Sequence, residues 1–475
     1  MTVVARDDRL LVAVAVLASF VAFLDGSVVN PALPAISAEL GGGLVIQQWV
    51  VDGYLLTLGA LILLAGAISD TFGRLTVLRA GLVVFGVASL LCAAAPSGLV
   101  LVAGRCFQGL GAAFLVPSSL AMLNARFTGA EQSRAIGVWT AWTGTAFVIG
   151  PLLGGVLVET LGWRWVFAVN VVPLAVTLTL TGKLTDQTPR TGARIDAVGA
   201  VLTAVGLSAT VFAMIEQQRL GWHDPAVVTA LIVGPASLIA FGWWERRARH
   251  PMLPPAVFSA RNFTVGNLAT VFLYAGISLG QLLVALFLQE VRGLSPAQAG
   301  LATLPVPVLS FMLAARFGEL AGRYGPRRFM AAGPVIAAAG FGWMAMGAGN
   351  VWLQTLPGMA LFGVGLSVAV SPLTAAVLAA VPTSQSGIGS AINNAVARVA
   401  GLIAIAFTAV IVGGAMTFDG FRQGVVTAAV LLVIAGIVSA VGIRDDVSAL
   451  SAGSSAAAAA CHDRDGPRPA PVYRD

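Results

Sequence analysis

Three charged residues stand inside apolar surroundings, and they are where this chain could do chemistry. Asp25 lies in "FLDGSVVNPALP" at the far end of the run LLVAVAVLASFVAFL, Asp52 lies in "WVVDGYLL", and Arg105 lies in "GRCFQGLGAA". A charge at bilayer depth is expensive, so it usually faces a polar interior and marks a functional site. With a helix rise of about 1.5 Å per residue, Asp25 falls roughly 15 residues into an outward-running segment, Asp52 about six into the returning one and Arg105 about seven into the fourth. All three then share one depth in the outer half. Burial favours the neutral acid, a second acid favours it further, and a guanidinium favours the carboxylate. Two acids sharing one movable arginine would take up and release a proton as a coupled pair. The structural alternative is a static Arg–Asp pair that locks three helices together.

The elements that must position these groups are long apolar segments. Of the 475 residues, 57% are hydrophobic and only 10% charged, against about 25% charged in a soluble globular chain. Segments of about 20 residues, each able to cross about 30 Å of hydrocarbon, are expected at 10–32, 46–68, 77–95, 98–122, 134–158, 164–182, 196–215, 225–245, 264–290, 298–317, 329–347, 352–379, 387–414 and 423–443. The fold class expected is an all-α integral membrane protein of about fourteen spans. About 20 of the Arg and Lys residues fall on the side of the N-terminus, and only Arg164, Arg219, Arg292 and Arg422 fall on the other. That asymmetry predicts both termini inside. The sequence after residue 443 is rich in small and breaking residues and is expected to be a disordered tail.

Other chemistries find little support. The net charge of +6 comes from residues dispersed among short loops rather than a basic stripe, so no nucleic-acid partner is expected. Cys92, Cys106 and Cys461 make no disulfide or CxxC pattern, and His223, His250 and His462 are far apart, so no metal is expected. The single lysine, Lys183, follows Gly182 in TLTGKLT and fails the phosphate-binding pattern, which leaves neither a nucleotide nor any other cofactor.

Two further stretches have backbone chemistry. In "GAISDTFGRL" Gly66 and Gly73 permit close packing and a tight turn. Asp70 is expected at the start of the following helix, where exposed amides favour its charge, with Arg74 to answer it. The stretch reads equally as a gate latch or a plain inner turn. In "GTAFVIGPLLGGVL" Gly150, Gly154 and Gly155 allow close helix approach and Pro151 bends the helix. Ordinary packing explains it as well as a moving interface does.

Together these residues resemble the major facilitator superfamily, and specifically its fourteen-span drug:proton antiporters. LDGSVVNPALP is similar to the first-helix signature, GAISDTFGR to the loop motif, RCFQGLGAA to the fourth-helix arginine motif and GPLLGG to the antiporter motif, with WRWVFAVN and SGIGSAINN as further matches. The resemblance implies a major facilitator fold: a six-helix bundle over 1–182, a linker with two additional central transmembrane helices over 183–261, a second six-helix bundle over 262–443 and a cytoplasmic tail over 444–475. It implies rocking around a midplane cavity, with Asp25 and Arg105 in proton coupling, Asp52 beside them, Gly66, Asp70, Gly73 and Arg74 at an inner gate, and Gly150, Pro151, Gly154 and Gly155 at the antiporter bend. Candidates for the substrate cavity are Asn30, Tyr54, Gln108, Phe114, Trp142, Asn393, Asn394 and Arg398, with Trp139, Phe147, Phe272 and Tyr274 as further aromatics; packing or lipid contact is the commoner use of such rings.

Departures from the pattern are informative. Gly322 stands at the acid position of the second-half loop "GELAGRYGPRR", and Ala397 takes the usual arginine position of the thirteenth span. Arg398 follows one place later, about 100° round the helix. Spans nine to thirteen carry few acids beyond Glu290 and Glu319, which favours neutral, zwitterionic or monocationic lipophilic substrates. The function expected is proton-coupled export of lipophilic antibiotics or drugs, with protons, a small-molecule substrate and membrane lipid as partners. Proton-linked uptake and a non-transporting membrane receptor are the rival readings.

Overall fold

Capping residues and glycines punctuate the chain. Ser97, Asp196, Asp224, Asn350 and Thr417 each accept a backbone N–H of the first turn that follows them, and Ser295 forms a full capping box with Gln298. Such caps satisfy amide groups that a helix start leaves open. Gly73, with φ 99, turns the chain between the second and third spans, and Gly325, with φ 86, does the same between the tenth and eleventh. That backbone region suits glycine.

The computed structural model describes residues 6–127, 129–184, 196–249, 251, 253, 255–347, 349–381 and 386–445; a few helical side chains, Asp70 among them, are outside that description. The segment expected to be disordered lies, from residue 446 on, outside the described residues. Fourteen helices are long and apolar enough to cross a membrane: Asp7–Leu40, Gly43–Ile62, Arg74–Ala93, Gly98–Arg126, Arg134–Thr160, Arg164–Thr181, Ala197–Leu220, Pro225–Glu245, Arg261–Val291, Pro296–Tyr324, Pro326–Met346, Val351–Ala379, Gly389–Ala406 and Phe418–Gly442. No strand occurs among the described residues.

Several spans are interrupted. The first is helical over Arg6–Val28, tightens into a 3-10 turn at Asn30–Ala32 and resumes over Leu33–Leu40. Pro31 and Pro34, which lack the N–H a continuing helix needs, account for the break. The sixth span divides into Arg164–Ala168 and Val171–Thr181. The second helix runs unbroken to Phe72, so Asp70 lies in its last turn rather than at the start of the next helix as expected. A carboxylate there gains nothing from the helix dipole.

In the first half, span one packs on spans four, five and six, and span four packs on spans two and three; in the second half, span nine packs on spans twelve, thirteen and fourteen, and span twelve on ten and eleven. The halves meet where span two packs on span thirteen and span five on span ten. The additional pair, central in sequence, lies beside this seam. Span seven touches spans two and thirteen, whereas span eight packs on span seven. Trp49 Nε1 donates to Glu216 Oε1 at 2.8 Å and Gln218 Nε2 to Gln48 Oε1 at 2.9 Å, tying the pair to span two.

Among the described residues, every hydrogen bond between the two halves lies on the side assigned as outer by the arginines. Gln47 Nε2 donates to Glu290 Oε1 at 2.5 Å, Gln48 Nε2 to the carbonyls of Ile405 and Ala406 at 2.8 and 3.0 Å, and Ser295 Oγ to Glu159 Oε2 at 2.9 Å. One apolar core joins the halves there and includes Leu33 and Ile36 of span one with Leu283 and Phe287 of span nine. The molecule is closed on that side.

Candidate functional site

Asp25 is fully enclosed, and its carboxylate accepts three side-chain donors. Arg105 Nη1 approaches Oδ2 at 2.5 Å, while Asn170 Nδ2 and Gln108 Nε2 reach Oδ1 at 2.8 and 3.2 Å. Arg105 is held through two of its three guanidinium nitrogens. Its Nε donates to the carbonyl of Val50 at 2.8 Å, its Nη1 also reaches Gln108 Oε1 at 2.9 Å, and its guanidinium lies 4.5 Å from the ring centre of Tyr54. Gln108 also donates to Ser89 Oγ at 2.8 Å. Spans one, two, three, four and six therefore all contribute to one ion site. Removing either charge alone from such a pair leaves the other buried without compensation, at about 3–5 kcal/mol.

Asn170 is a member that the sequence reading missed. It sits at the break between the two helices of the sixth span, and the break lets its amide reach into the bundle. An amide inside the apolar stretch VFAVNVVPL was the available signal.

Arg105 meets Asp25 and not Asp52. Asp52 is also fully buried, but neither of its oxygens has a hydrogen-bond partner among the described residues. Arg105 grips span two at Val50, and two residues later the helix has turned about 200°. Asp52 thus leaves the face that meets span four. Its neighbours one turn away, Gln48 and Leu56, face spans thirteen and seven.

The glycines of span five make contacts that larger residues would prevent. A Cβ at Gly150 would overlap Ser27 Oγ and one at Gly154 the carbonyl of Val28, both on the helix that carries Asp25. A Cβ at Gly155 would overlap the backbone of Pro296, and one at Gly300 the carbonyl of Pro151. Span five is therefore pressed against Asp25's helix on one side and the opposite half on the other.

At the turn between spans two and three Gly73 makes the expected tight turn with φ 99, whereas Gly66 has open space where close packing was expected. Arg74 Nη1 donates to the carbonyl of Ala121 in span four at 2.8 Å. The side chain of Asp70 lies outside the described residues, so the expected answer to Arg74 does too.

The cavity candidates separate into groups. Tyr54 is buried beneath Arg105 and donates to the carbonyl of Ala22 at 2.8 Å, and Gln108 belongs to the ion site, so both serve the charge rather than a cavity. Phe114 packs inside the first bundle against span three. Asn30 begins the outer turn of span one. Asn393 Nδ2 is spent within the second half, on Asn267 Oδ1 at 3.2 Å and Thr270 Oγ1 at 2.9 Å. Trp142 is exposed. Asn394 and Arg398 pair with each other at 3.4 Å, and the guanidinium of Arg398 lies 5.3 Å from the ring centre of Phe23 in the opposite half. Phe23, which the reading did not single out, stands 5.6 Å from Phe147 and 6.4 Å from Trp139.

The chain is similar to known proteins in both sequence and fold. It matches the family model described as Major Facilitator Superfamily over residues 15–405, with a second match over 267–469. It is 36% identical over 413 residues to the puromycin resistance protein of Streptomyces alboniger, covering 84% of this chain and 80% of that one. It is 33% identical over 405 residues to the cephamycin export protein of Amycolatopsis lactamdurans, covering 83% of each. The partially occluded inward-open xylose transporter XylE of E. coli superposes with a TM-score of 0.63 at 14% identity, over 91% of this chain and 97% of that one, which is a likeness of fold.

Proposed function

Because this chain belongs to the major facilitator superfamily, we propose that it is a secondary active transporter, not an enzyme, which exports lipophilic small molecules such as antibiotics across a bacterial cytoplasmic membrane in exchange for protons. Its multi-pass architecture comes with the family. Relatives described by resistance to, or export of, antibiotics support the direction and the substrate class. The proposed division is the one expected from the sequence: bundles over 1–182 and 262–443, a two-helix linker over 183–261 and a tail over 444–475, with both ends cytoplasmic.

The observation that carries the reading is the enclosed carboxylate of Asp25, held by one guanidinium and two amides. An ionised acid so far from water is tolerated only because Arg105, Gln108 and Asn170 donate to it. Separation of these donors would return the proton to Asp25, so the site can alternate between two states of charge as the bundles rock. Span five transmits the movement, because it touches Ser27 and Val28 on one side and Pro296 and Ala297 on the other. With the outer seam closed, substrate enters from the inner side. Opening that seam breaks the bonds of Gln47 and Gln48 and brings water to Asp52, which then serves as a second proton-accepting group. Gly66, Asp70, Gly73 and Arg74 form the inner counterpart of this gate.

The test is gradient-driven flux in inverted membrane vesicles. Asp25→Asn should reduce uptake of an exported compound under an imposed proton gradient to the level of vesicles lacking the protein, while exchange of labelled for unlabelled compound persists. Undiminished gradient-driven uptake in that variant would overturn the proposal.

A further inference from the structure

The second half contains a cation without a counter-ion. Arg398 makes one side-chain hydrogen bond, from Nε to Asn394, and no carboxylate stands within ion-pair distance among the described residues. Its partner elsewhere would have to be an acid of spans nine to fourteen. Glu319 is taken by Arg323 at 2.5 Å, Glu290 by Gln47 at the outer end, and Asp419 stands in the first turn of span fourteen and makes no ion pair with Arg398. Across the seam, Asp25 has its own donors, and Asp52, which has no hydrogen-bond partner among the described residues, makes no ion pair with Arg398.

The internal repeat fixes where Arg398 points. A Cβ at Gly150 would meet Ser27, and one at Gly401 would meet Ser278. The same sequence offset separates Ser27 from Ser278 and Gly150 from Gly401. Applied further, it carries Phe23 onto Tyr274 and Phe147 onto Arg398. Phe23 and Phe147 are in ring contact, and Arg398 lies over Phe23 from the other half. Gly59 of span two stands against the Cβ of Arg398, at 3.8 Å from where its own would be. Of these four repeat-related positions, two from each half, Phe23, Phe147 and Arg398 meet at the seam, and Tyr274 is the counterpart of Phe23 on span nine. Three are aromatic and one is a guanidinium. Beside them Trp139 Nε1 is a buried donor with no acceptor.

We propose that this centre is a binding site for amphiphilic anions: Arg398 receives a carboxylate or comparable oxyanion, and Phe23, Phe147 and Tyr274 receive an apolar, preferably aromatic, body. The inference rests on the export reading and names the substrate class of that same transporter. It differs from the expectation of neutral, zwitterionic or monocationic lipophilic substrates in putting a negative charge on the ligand. A partly enclosed guanidinium gains most from an acceptor that completes a charge-assisted pair, and the ligand would supply the acid that the second half lacks. Cationic compounds would meet a like charge that makes no ion pair among the described residues.

Binding tests the inference without requiring transport. Quenching of tryptophan fluorescence on the purified full chain would be titrated with 2-naphthaleneacetate, its uncharged amide and sodium acetate. The naphthalene acid should bind about tenfold or more tightly than its amide, and acetate should compete weakly, because it has no apolar body. Arg398→Gln should collapse the acid-to-amide ratio towards one, and Arg398→Lys should retain part of it. Equal binding of acid and amide by the unaltered chain, or a ratio that survives Arg398→Gln, would overturn the assignment. Acetate competing as well as the aromatic acid would overturn the amphiphile part and leave a bare anion site. Gradient-driven flux in vesicles, with Asp25→Asn as control, reads the export proposal separately, so either can fail alone.

Discussion

The two halves share a fold and differ in chemistry at repeat-related places. In the first, span one carries Asp25, and a guanidinium, two amides and a hydroxyl are gathered around it. In the second, the same offset puts Gly276 at that place on span nine, where a Cβ would run into Leu432 and the carbonyl of Ala428. No acid fits there. The polar contact between spans nine and thirteen is made by Asn393, Asn267 and Thr270, which are all neutral. The enclosed ion pair is thus in one half, and Arg398, a cation without a counter-ion, is in the other. Under the proposed function, this would divide the work of the two bundles, with one taking up protons and the other meeting the cargo.

The largest effect should come from unbalancing the charged half. Arg105→Leu leaves Asp25 enclosed with only amide donors and should cost about 3–5 kcal/mol, read as a large drop in melting midpoint in detergent. Asp25→Leu combined with Arg105→Leu should recover much of that loss, since the apolar pair no longer carries a desolvated charge. A double variant as unstable as the single one would mean that the site is held by shape rather than charge.

A smaller effect should separate the two span-five glycines. At Gly154 an added Cβ comes within 2.2 Å of the carbonyl oxygen of Val28, which is backbone and cannot rotate away; at Gly150 it meets Ser27 Oγ, which can, and Ser27 Cβ at 2.8 Å, which cannot but is less closely approached. Gly154→Ala should therefore cost about 1–3 kcal/mol and Gly150→Ala less, with the melting midpoints ordered accordingly. The second half sharpens the contrast. Ile405 stands at the repeat position of Gly154, so spans nine and thirteen are not pressed together there, and Gly401→Ala should cost less than Gly150→Ala, because Ser278 Oγ can turn aside and the Ser278 Cβ would stand at 3.3 Å against 2.8 Å for that of Ser27.

The neutral network should be weaker still. Asn393→Leu removes the donor to Asn267 and Thr270 and should cost about 0.6–2 kcal/mol, the range of interhelical polar contacts in membranes. A loss as large as that of Arg105→Leu would erase the proposed difference between the halves.

Much of this arrangement was legible before any coordinates. Length and hydropathy located all fourteen spans, and helix rise alone put Asp25 and Arg105 at a common level. Rotation about a helix axis was not legible to the same degree. Asp52 shares the depth but is turned towards the seam, because the face span two offers to span four is fixed by Val50, Gly53 and Tyr54 packing there. Asn170 escaped notice because its place depends on a break in span six. Phe23 escaped notice because an aromatic in an apolar run has no periodic signal; only the meeting of both halves gives it a role. The Gln48–Gln218 and Trp49–Glu216 contacts belong to the same class, being tertiary pairings of residues far apart in sequence.

The smallest expected effect comes from an ion pair of the same length as the largest. Arg323 Nη2 lies 2.5 Å from Glu319 Oε1, and Arg105 Nη1 lies 2.5 Å from Asp25 Oδ2. The side chains of the first pair are 68% and 64% exposed, those of the second 2% and 0%. Equal distance gives equal geometry but not equal energy, because water screens the exposed charges and solvates whichever one is left when its partner is removed. Glu319→Gln, one turn from Arg323 on the same helix, should therefore cost only about 0.3–0.5 kcal/mol, and added salt should shrink that further. Measured in the same detergent as Arg105→Leu, this variant isolates burial as the variable. If its melting midpoint fell as far, separation rather than enclosure would govern the strength of these pairs, and the special standing given to Asp25 would lose its physical basis.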